Sequence, residues 1–314
     1  MSPFKSICLL VTATFCIAGC GRTVSIEAQR GPQLFAERWR SGDATTEPAL
    51  QTQAIDERTF AIRQSIRTTF EAPFVYLLIG RDRALLIDTG VAGSALRIEV
   101  DRLLKERGGE VGRSLPLIVM HTHGHSDHVG GDAGFKDRPA TQIVGHGQEE
   151  VVNFFGLGSW PHRSVALDLG ERLVDIVPTP GHHAAHVMVY DRATRILFGG
   201  DAVYPGILRF QCAAATEYLA SIKRVIAFSE RNDIKWILGG HIEMKAAAGE
   251  YFESQDVPRS NERRLELPSS VLREIRDSLV EMGDRPRVKA FPDFLLFPHP
   301  ADPGGRQPPD WCDA

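Results

Sequence analysis

The chain has 314 residues, of which 43% are hydrophobic and 24% are charged, which is typical of a globular protein and excludes a disordered or fibrous one. Lys and Arg number 36 against 40 Asp and Glu, so the formal net charge is −4. This mild acidity speaks against a nucleic-acid partner, because such a partner requires a basic surface that neutralises phosphates.

The N-terminus has the features of a secretory signal. Lys5 precedes an apolar run at residues 7–17, which is too short to span a bilayer as a helix. Residues 17–20 (IAGC) resemble the bacterial lipobox. That resemblance implies cleavage after residue 19, a membrane anchor through a lipid on Cys20, and an exported, periplasmic or outer-membrane-associated lipoprotein. An ordinary signal peptide with a chance cysteine is the alternative.

Apolar runs and helix-spaced apolar residues alternate through the middle of the chain, after a polar stretch that we predict to be a tether. Strands are predicted at 74–79, 84–87, 117–120, 142–144, 172–177, 187–190, 195–198 and 235–238. Helices are predicted at 96–104 and 219–226. This alternation, in two similar halves at 55–150 and 160–241, predicts an α/β sandwich in which helices cover two sheets.

The C-terminal part has a different pattern. A helix with one apolar face is predicted at 271–282. Residues 286–309 then contain 7 of the 19 prolines, so this tail is expected to be mostly irregular. It either wraps the domain, with its Phe and Leu residues as anchors, or partly dangles. Cys212 and Cys312 allow one disulfide, but their spacing does not show whether they meet.

A cluster of metal-ligand residues follows the strand predicted at 117–120. His123, His125, Asp127 and His128 lie within six residues. The first two alternate as in an extended segment and can face one point, whereas the last two begin a turn and can face a neighbouring point. Imidazole and carboxylate are ligands of zinc and related divalent ions. A structural zinc site would favour four closed ligands rich in Cys, and no Cys is near in sequence.

This HxHxDH run resembles the metal motif of the metallo-β-lactamase superfamily. Further matches follow in the family's order at 86–90 (LIDTG), 179–182 (TPGH), 198–201 (FGGD) and 239–241 (GGH). The resemblance covers about residues 55–241 and implies an αββα four-layer sandwich. It also implies two divalent metal ions, zinc by default. The first ion would be bound by His123, His125 and His182, the second by Asp127, His128 and His241, and both by the bridging Asp201.

The activity that the resemblance implies is hydrolysis, in which a metal-bridging hydroxide cleaves a carboxylic ester, lactone or thioester of a small acyl substrate. Asp127 and Tyr204 are the predicted catalytic residues. Tyr204 stands three residues after Asp201, which is similar to the acyl-homoserine-lactone lactonases, where a Tyr helps to hold the carbonyl oxygen; a packed aromatic residue is the alternative. Residues 200–206 also resemble a branch of acyl-coenzyme-A thioesterases, and glyoxalase II shares the seven ligands. Asp88 resembles the family's structural aspartate.

Two other functions stay open at this point. A β-lactamase-like antibiotic hydrolase suits the compartment, although true β-lactamases usually have Cys or Ser in place of Asp201. A non-catalytic, metal-bound envelope lipoprotein is the other alternative. The predicted boundaries are 1–19 for the signal peptide, 20–53 for the tether, 54–250 for the hydrolase domain, and 251–314 for the C-terminal helix and irregular extension. The oligomeric state does not follow from the sequence.

Overall fold

The computed structural model of the protein describes residues 33–43, 45–93, 95–107, 115–300 and 312. The predicted signal peptide and Cys20 lie outside the described residues. Among the residues that are described, no helix is both long and apolar enough to cross a membrane.

The first sheet is built from six strands that follow each other in space as they do in sequence. They are β1 (Leu50–Asp56), β2 (Thr59–Gln64), β3 (Phe74–Ile79), β4 (Ala84–Ile87), β5 (Leu117–Met120) and β6 (Thr141–Ile143). Strands β1 to β4 are antiparallel, whereas β5 pairs in parallel with β4 and with β6. Helix α1 (Leu96–Arg107) buries its apolar face against this sheet, in a cluster that includes Leu77 and Val119.

The second sheet takes six of the next seven strands. The seven are β7 (Val165–Asp168), β8 (Leu173–Pro178), β9 (Val187–Asp191), β10 (Ile196–Gly200), β11 (Ile207–Gln211), β12 (Trp236–Gly239) and β13 (Glu266–Leu267). All except β11 pair in the order β13-β12-β10-β9-β8-β7. Strands β10 and β12 are parallel, and the other neighbours in this sheet are antiparallel.

Four further α-helices lie within the described residues. They are α2 (Ser126–Val129), α3 (Gln148–Phe155), α4 (Ala215–Ser229) and α5 (Val271–Met282). Helices α4 and α5 bury apolar residues in one cluster with the outer face of the second sheet. A separate cluster lies between the two sheets, where the rings of Tyr76 and Phe198 are 4.6 Å apart. The order of layers is therefore helix, sheet, sheet, helix, and the predicted αββα sandwich is confirmed.

A small third sheet contains β11 and the C-terminal extension. Strands β14 (Lys289–Ala290) and β15 (Leu295–His299) add to β11 in the order β11-β15-β14. Phe294 is completely buried in the cluster under α4, and a disulfide joins Cys212 to Cys312. The described part of the extension therefore packs on the domain, and the two cysteines meet.

The N-terminal side of the domain begins earlier than the predicted boundary at residue 54. Phe35 is buried in the cluster between the sheets, and β1 begins at Leu50. The C-terminal part of the predicted tether is therefore packed on the domain. Strand β1 has only half-buried and exposed residues, so its sequence has no apolar run that would predict a strand.

Candidate metal centre

The predicted site residues lie where strands of both sheets end. Asp88 follows β4, the segment 121–128 follows β5, the segment 179–182 follows β8, Asp201 follows β10, and His241 follows β12. Strands β4 and β5 are parallel. Strands β8, β10 and β12 also share one direction, because β8 and β10 are both antiparallel to the intervening β9. One rim of the sandwich therefore collects residues that are more than a hundred positions apart in sequence.

Three imidazoles form the first donor group, which we call the three-His group: His123, His125 and His182. Nε2 of His123 lies 2.9 Å from Nδ1 of His125 and 3.2 Å from Nε2 of His182, and the last two nitrogens are 3.1 Å apart. Ligand atoms that bind zinc tetrahedrally at about 2.0–2.1 Å lie about 3.4 Å from each other. The separations in this group are close to that value.

Four residues form the second donor group, which we call the mixed group: Asp127, His128, Asp201 and His241. The Nε2 atoms of the two imidazoles are 3.3 Å apart. The same atoms lie 3.4 and 3.2 Å from Oδ2 of Asp127. Helix α2 begins at Ser126, directly after the extended segment that presents His123 and His125, so Asp127 and His128 turn away from the first group.

The carboxylate of Asp201 faces both groups. Its Oδ1 lies 3.3 and 3.4 Å from Nε2 of His128 and of His241, and its Oδ2 lies 4.0 Å from Nε2 of His182. Oδ1 is buried and makes no hydrogen bond within the described residues. A buried carboxylate oxygen without a hydrogen bond fits a metal ligand, because a buried charge is costly unless it is paired or coordinates a metal.

Two glycines allow the close approach of the segments around Asp201. Gly200 has a φ of +50°, and a Cβ there would lie 2.7 Å from Nε2 of His186. A Cβ on Gly240 would lie 2.4 Å from Oδ1 of Asp201. Neither position accommodates a side chain, so glycine at both places is a requirement of the site's geometry.

Hydrogen bonds from outside the two groups orient the imidazoles. Oδ2 of Asp88 lies 2.8 Å from Nδ1 of His128, and Oδ1 of Asp88 accepts the backbone N–H of Thr122 at 2.6 Å. Nδ1 of His182 donates to the carbonyl of Arg209 at 2.7 Å, and Nδ1 of His241 donates to the carbonyl of Glu71 at 2.9 Å. Such contacts fix the tautomer, so that Nε2 of each ring faces its donor group.

Two imidazoles of the three-His group, those of His123 and His182, are kept neutral by their surroundings. Burial is the main cause that lowers the pKa of His182 to about 4. Burial, with the nearby imidazoles of His128 and His182, also holds the pKa of His123 well below its usual value. A neutral imidazole offers a free lone pair at neutral pH, which a metal ion requires.

In the mixed group, by contrast, carboxylates and imidazoles stabilise each other's charged forms. Burial alone would raise the pKa of Asp127 and of Asp201, but the imidazoles of His128 and His241 outweigh it, so both carboxyl groups have a lowered pKa. The carboxylates in turn raise the pKa of both imidazoles in spite of burial. The group therefore carries two anionic ligands, and a proton and a metal ion compete for each imidazole lone pair.

Tyr204 is close to the mixed group but its hydroxyl is engaged elsewhere. Its ring centre lies 5.7 Å from that of His241. The hydroxyl is 2.6 Å from the carbonyl of Ile207 and 2.7 Å from Oε2 of Glu243, and these two acceptors share its single proton. The catalytic role of Tyr204 stays a prediction, and it requires the hydroxyl to exchange these acceptors for a substrate oxygen.

Sequence reasoning did not identify the groups that support the imidazoles through the backbone. The carbonyls of Glu71 and Arg209 have no sequence signature, because every residue has a carbonyl. Glu243 gave no signal either, since it lies outside every motif. His186 supports the same segment through a side chain, because its Nδ1 lies 2.8 Å from Oγ1 of Thr179 at the start of the His182 segment.

The donor set as a whole fits two divalent ions. Five imidazoles and two carboxylates converge in two groups, and one carboxylate faces both. Nitrogen and oxygen donors without thiolate suit zinc, and also manganese or iron.

Known proteins resemble this chain in sequence and in fold. The family model of the Metallo-beta-lactamase superfamily matches residues 68–241. The acyl-coenzyme A thioesterase MBLAC2 of Gallus gallus is 26% identical over 205 residues, which are 55% of this chain and 73% of that protein. A hydroxyacylglutathione hydrolase of Mesorhizobium japonicum is 30% identical over 114 residues, which are 36% of this chain and 44% of that protein. The solved structure of TMB-1 is similar in fold, with a TM-score of 0.50 at 16% identity over 74% of this chain and 98% of that one.

Proposed function

The chain belongs to the metallo-β-lactamase superfamily and is a hydrolase of that fold, and from this premise we propose that it is a dinuclear enzyme that cleaves a small thioester, carboxylic ester or lactone. The observation that carries the proposal is the carboxylate of Asp201, which faces the three-His group with one oxygen and the mixed group with the other. A site for a single structural ion would not need such a bridge.

The two donor groups have separate tasks in this proposal. The three-His group and the mixed group would each hold one divalent ion, and Asp201 would be shared. Bound ions of this kind supply Lewis acidity to a substrate carbonyl and lower the pKa of water toward about 7. A side-chain nucleophile is then not required.

Proton transfer in the proposed reaction is assigned to Asp127. Its Oδ2 lies against the imidazoles of His128 and His241, so the carboxylate has a fixed position at the site. It would accept the proton of the attacking water and release it to the leaving group, in the manner of a general base that becomes a general acid. Removal of this carboxylate should therefore affect both the mixed group and the proton transfer.

Thioesters are the first substrates to test. The two named relatives above are a thioesterase and a hydroxyacylglutathione hydrolase, although their identity to this chain is only 26% and 30%. The motif at 200–206 that resembles acyl-coenzyme-A thioesterases points in the same direction. Lactones and simple esters share the same electrophilic carbonyl and belong to the same panel.

We also propose that the protein is an exported lipoprotein with a lipid on Cys20. The disulfide between Cys212 and Cys312 supports export, because disulfides persist mainly in oxidising compartments. Mass spectrometry of the mature N-terminus tests this point. A lipidated Cys20 as first residue is the expected result, and an unprocessed Met1 would contradict it.

The function is tested with the full-length protein in detergent. Metal analysis is combined with hydrolysis assays on an acyl thioester, an acyl-homoserine lactone, a carboxylic ester and nitrocefin. We expect two zinc ions per chain, thioester turnover, and a loss of turnover of about a hundredfold or more in Asp127→Ala. Glu149→Ala, at an exposed carboxylate on α3, is the matched control and should behave as the wild type. Unchanged turnover in Asp127→Ala would refute the proposal, and selective turnover of nitrocefin would replace it by a β-lactamase.

A further inference from the structure

Strand β11 connects the three-His group with the C-terminal extension. The carbonyl of Arg209, in the middle of this strand, accepts the hydrogen bond from Nδ1 of His182. The backbone N–H of Gln211, at the end of the strand, contacts the carbonyl of Gly181 at 3.4 Å. The segment that carries His182 is therefore seated on β11.

Strand β11 also supports the segment that carries Asp201. Phe210 stacks on Tyr218 of α4, with ring centres 4.8 Å apart and an angle of 7° between the planes. The hydroxyl of Tyr218 donates to the carbonyl of Ala202 at 2.7 Å, directly after Asp201. A shift of β11 would therefore act directly on His182, whereas it would reach Asp201 only through the rings of Phe210 and Tyr218, so we expect a much smaller effect on the mixed group.

The position of β11 depends on the C-terminal extension. Strand β11 belongs to neither six-stranded sheet, and within the described residues β15 is its only strand neighbour. The two strands pair in parallel from Ile207 with Leu295 to Gln211 with His299, and the N–H of Leu295 donates to the carbonyl of Gly206 at 2.9 Å. The extension itself is held by Phe294, which is completely buried.

A covalent bond strengthens the same pairing. Cys212, the residue directly after β11, forms the disulfide with Cys312, and the two Cα atoms are 6.1 Å apart. The bond closes a loop of 100 residues, so it removes much of the freedom that the extension would have to leave β11.

From these contacts we propose that the C-terminal extension is a positioning element of the metal centre: through β15 and the Cys212–Cys312 disulfide it holds β11, and with it the carbonyl of Arg209, against His182. The inference rests on the proposed function, because it assigns the extension to the metal site of that enzyme. Groups that orient metal-bound imidazoles typically change metal affinity by about 10–100-fold when they are removed. The extension acts on His182 only through the carbonyl of Arg209, so we expect its loss to change metal affinity by an amount at the lower end of this range.

The test measures zinc affinity of each donor group separately, by competition with a chelator. In an Asp127→Ala background the three-His group is intact, and in a His182→Ala background the mixed group is intact. Cys312→Ser is introduced into both. We expect the zinc dissociation constant to rise about tenfold in the first background and to change less than about twofold in the second.

Three further variants separate the disulfide from other causes. Cys212→Ser, and the double Cys212→Ser, Cys312→Ser, should have the same effect as Cys312→Ser, since each removes the same bond. Leu103→Ala, in the buried face of α1 on the other side of the sandwich, destabilises the fold away from the site and should leave both affinities unchanged. Thermal unfolding of each protein confirms that it is folded at the assay temperature.

The possible results are distinct. Equal weakening in both backgrounds, or no weakening in the Asp127→Ala background, overturns the proposed role of the extension while the proposed enzyme stands. A wild-type protein that binds no zinc overturns the proposed function, and the inference with it.

Discussion

The two donor groups differ in what holds them, although they share Asp201. In the mixed group, His128 is held by the buried side chain of Asp88, which directly follows β4. In the three-His group, His182 is held by a backbone carbonyl of β11, which lies outside both large sheets. One group is thus supported by the central sandwich and the other partly by the C-terminal extension, so the two groups can be perturbed separately.

Removal of the shared Asp201 carboxylate should weaken both donor groups, and we expect it to have the largest effect on zinc binding and hydrolysis. Asp201→Asn keeps the shape of the side chain but removes the negative charge that faces both groups. We expect weaker zinc binding by both groups and a loss of hydrolysis of about a thousandfold, because several kcal/mol of charge stabilisation are lost. Metal analysis and steady-state kinetics measure both effects. Full zinc content with near-normal turnover would show that Asp201 is not a bridge.

Substitution of one imidazole in each donor group should separate the contributions of the two groups. His182→Ala and His241→Ala should each reduce the zinc content from two ions to one, and turnover should fall about a hundredfold or more in both. The residual zinc should resist the chelator differently in the two variants, because a three-imidazole group and a group with carboxylates have different affinities. Loss of both ions in either variant would mean that the two groups do not bind independently.

A smaller effect is expected from substitution of Asp88, whose carboxylate orients His128 of the mixed group. Asp88 has a φ of +67°, which Asn tolerates well, so Asp88→Asn tests the charge without backbone strain. We expect the zinc affinity of the mixed group to fall about tenfold to a hundredfold, while the three-His group keeps its affinity. Zinc competition in the His182→Ala and Asp127→Ala backgrounds distinguishes the groups. A loss confined to the three-His group would contradict the assignment of Asp88.

The sequence and the structure agree best where local patterns determine the fold. The runs predicted at 74–79, 84–87 and 117–120 coincide with β3, β4 and β5, because each is a fully buried apolar run between turn residues. Strand β2 was not predicted, since it contains Arg63. The guanidinium of Arg63 is buried because Glu262, 199 residues away, pairs with both of its terminal nitrogens. Such a partner cannot be inferred from a local window.

The same distinction between local patterns and distant partners holds at the metal centre. The donor residues follow from the resemblance to the superfamily's metal motifs, and the structure brings all seven together in two groups. The support from β11 could not be predicted, because it depends on a backbone carbonyl and on the pairing with a tail whose prolines indicate irregular structure. Sequence reasoning therefore described the groups, but not the difference in what holds them.

The smallest effect is expected from substitution of Tyr204, which contacts both β11 and the mixed group. Its hydroxyl joins the carbonyl of Ile207 on β11 to the carboxylate of Glu243, and its ring lies beside His241. With the hydroxyl in these contacts, Tyr204→Phe should cost about 1 kcal/mol of the free energy of unfolding and change kcat less than about threefold. If the hydroxyl instead donates to the substrate oxygen, kcat should fall about a hundredfold with little change in KM.

Tyr76→Phe is the matched control, since that buried hydroxyl also donates to a carbonyl near His241, that of Gly239 at 2.6 Å. A fall in kcat with Tyr204→Phe but not with Tyr76→Phe would make Tyr204 a catalytic residue, whereas equal and small effects would make it a link between β11 and the mixed group.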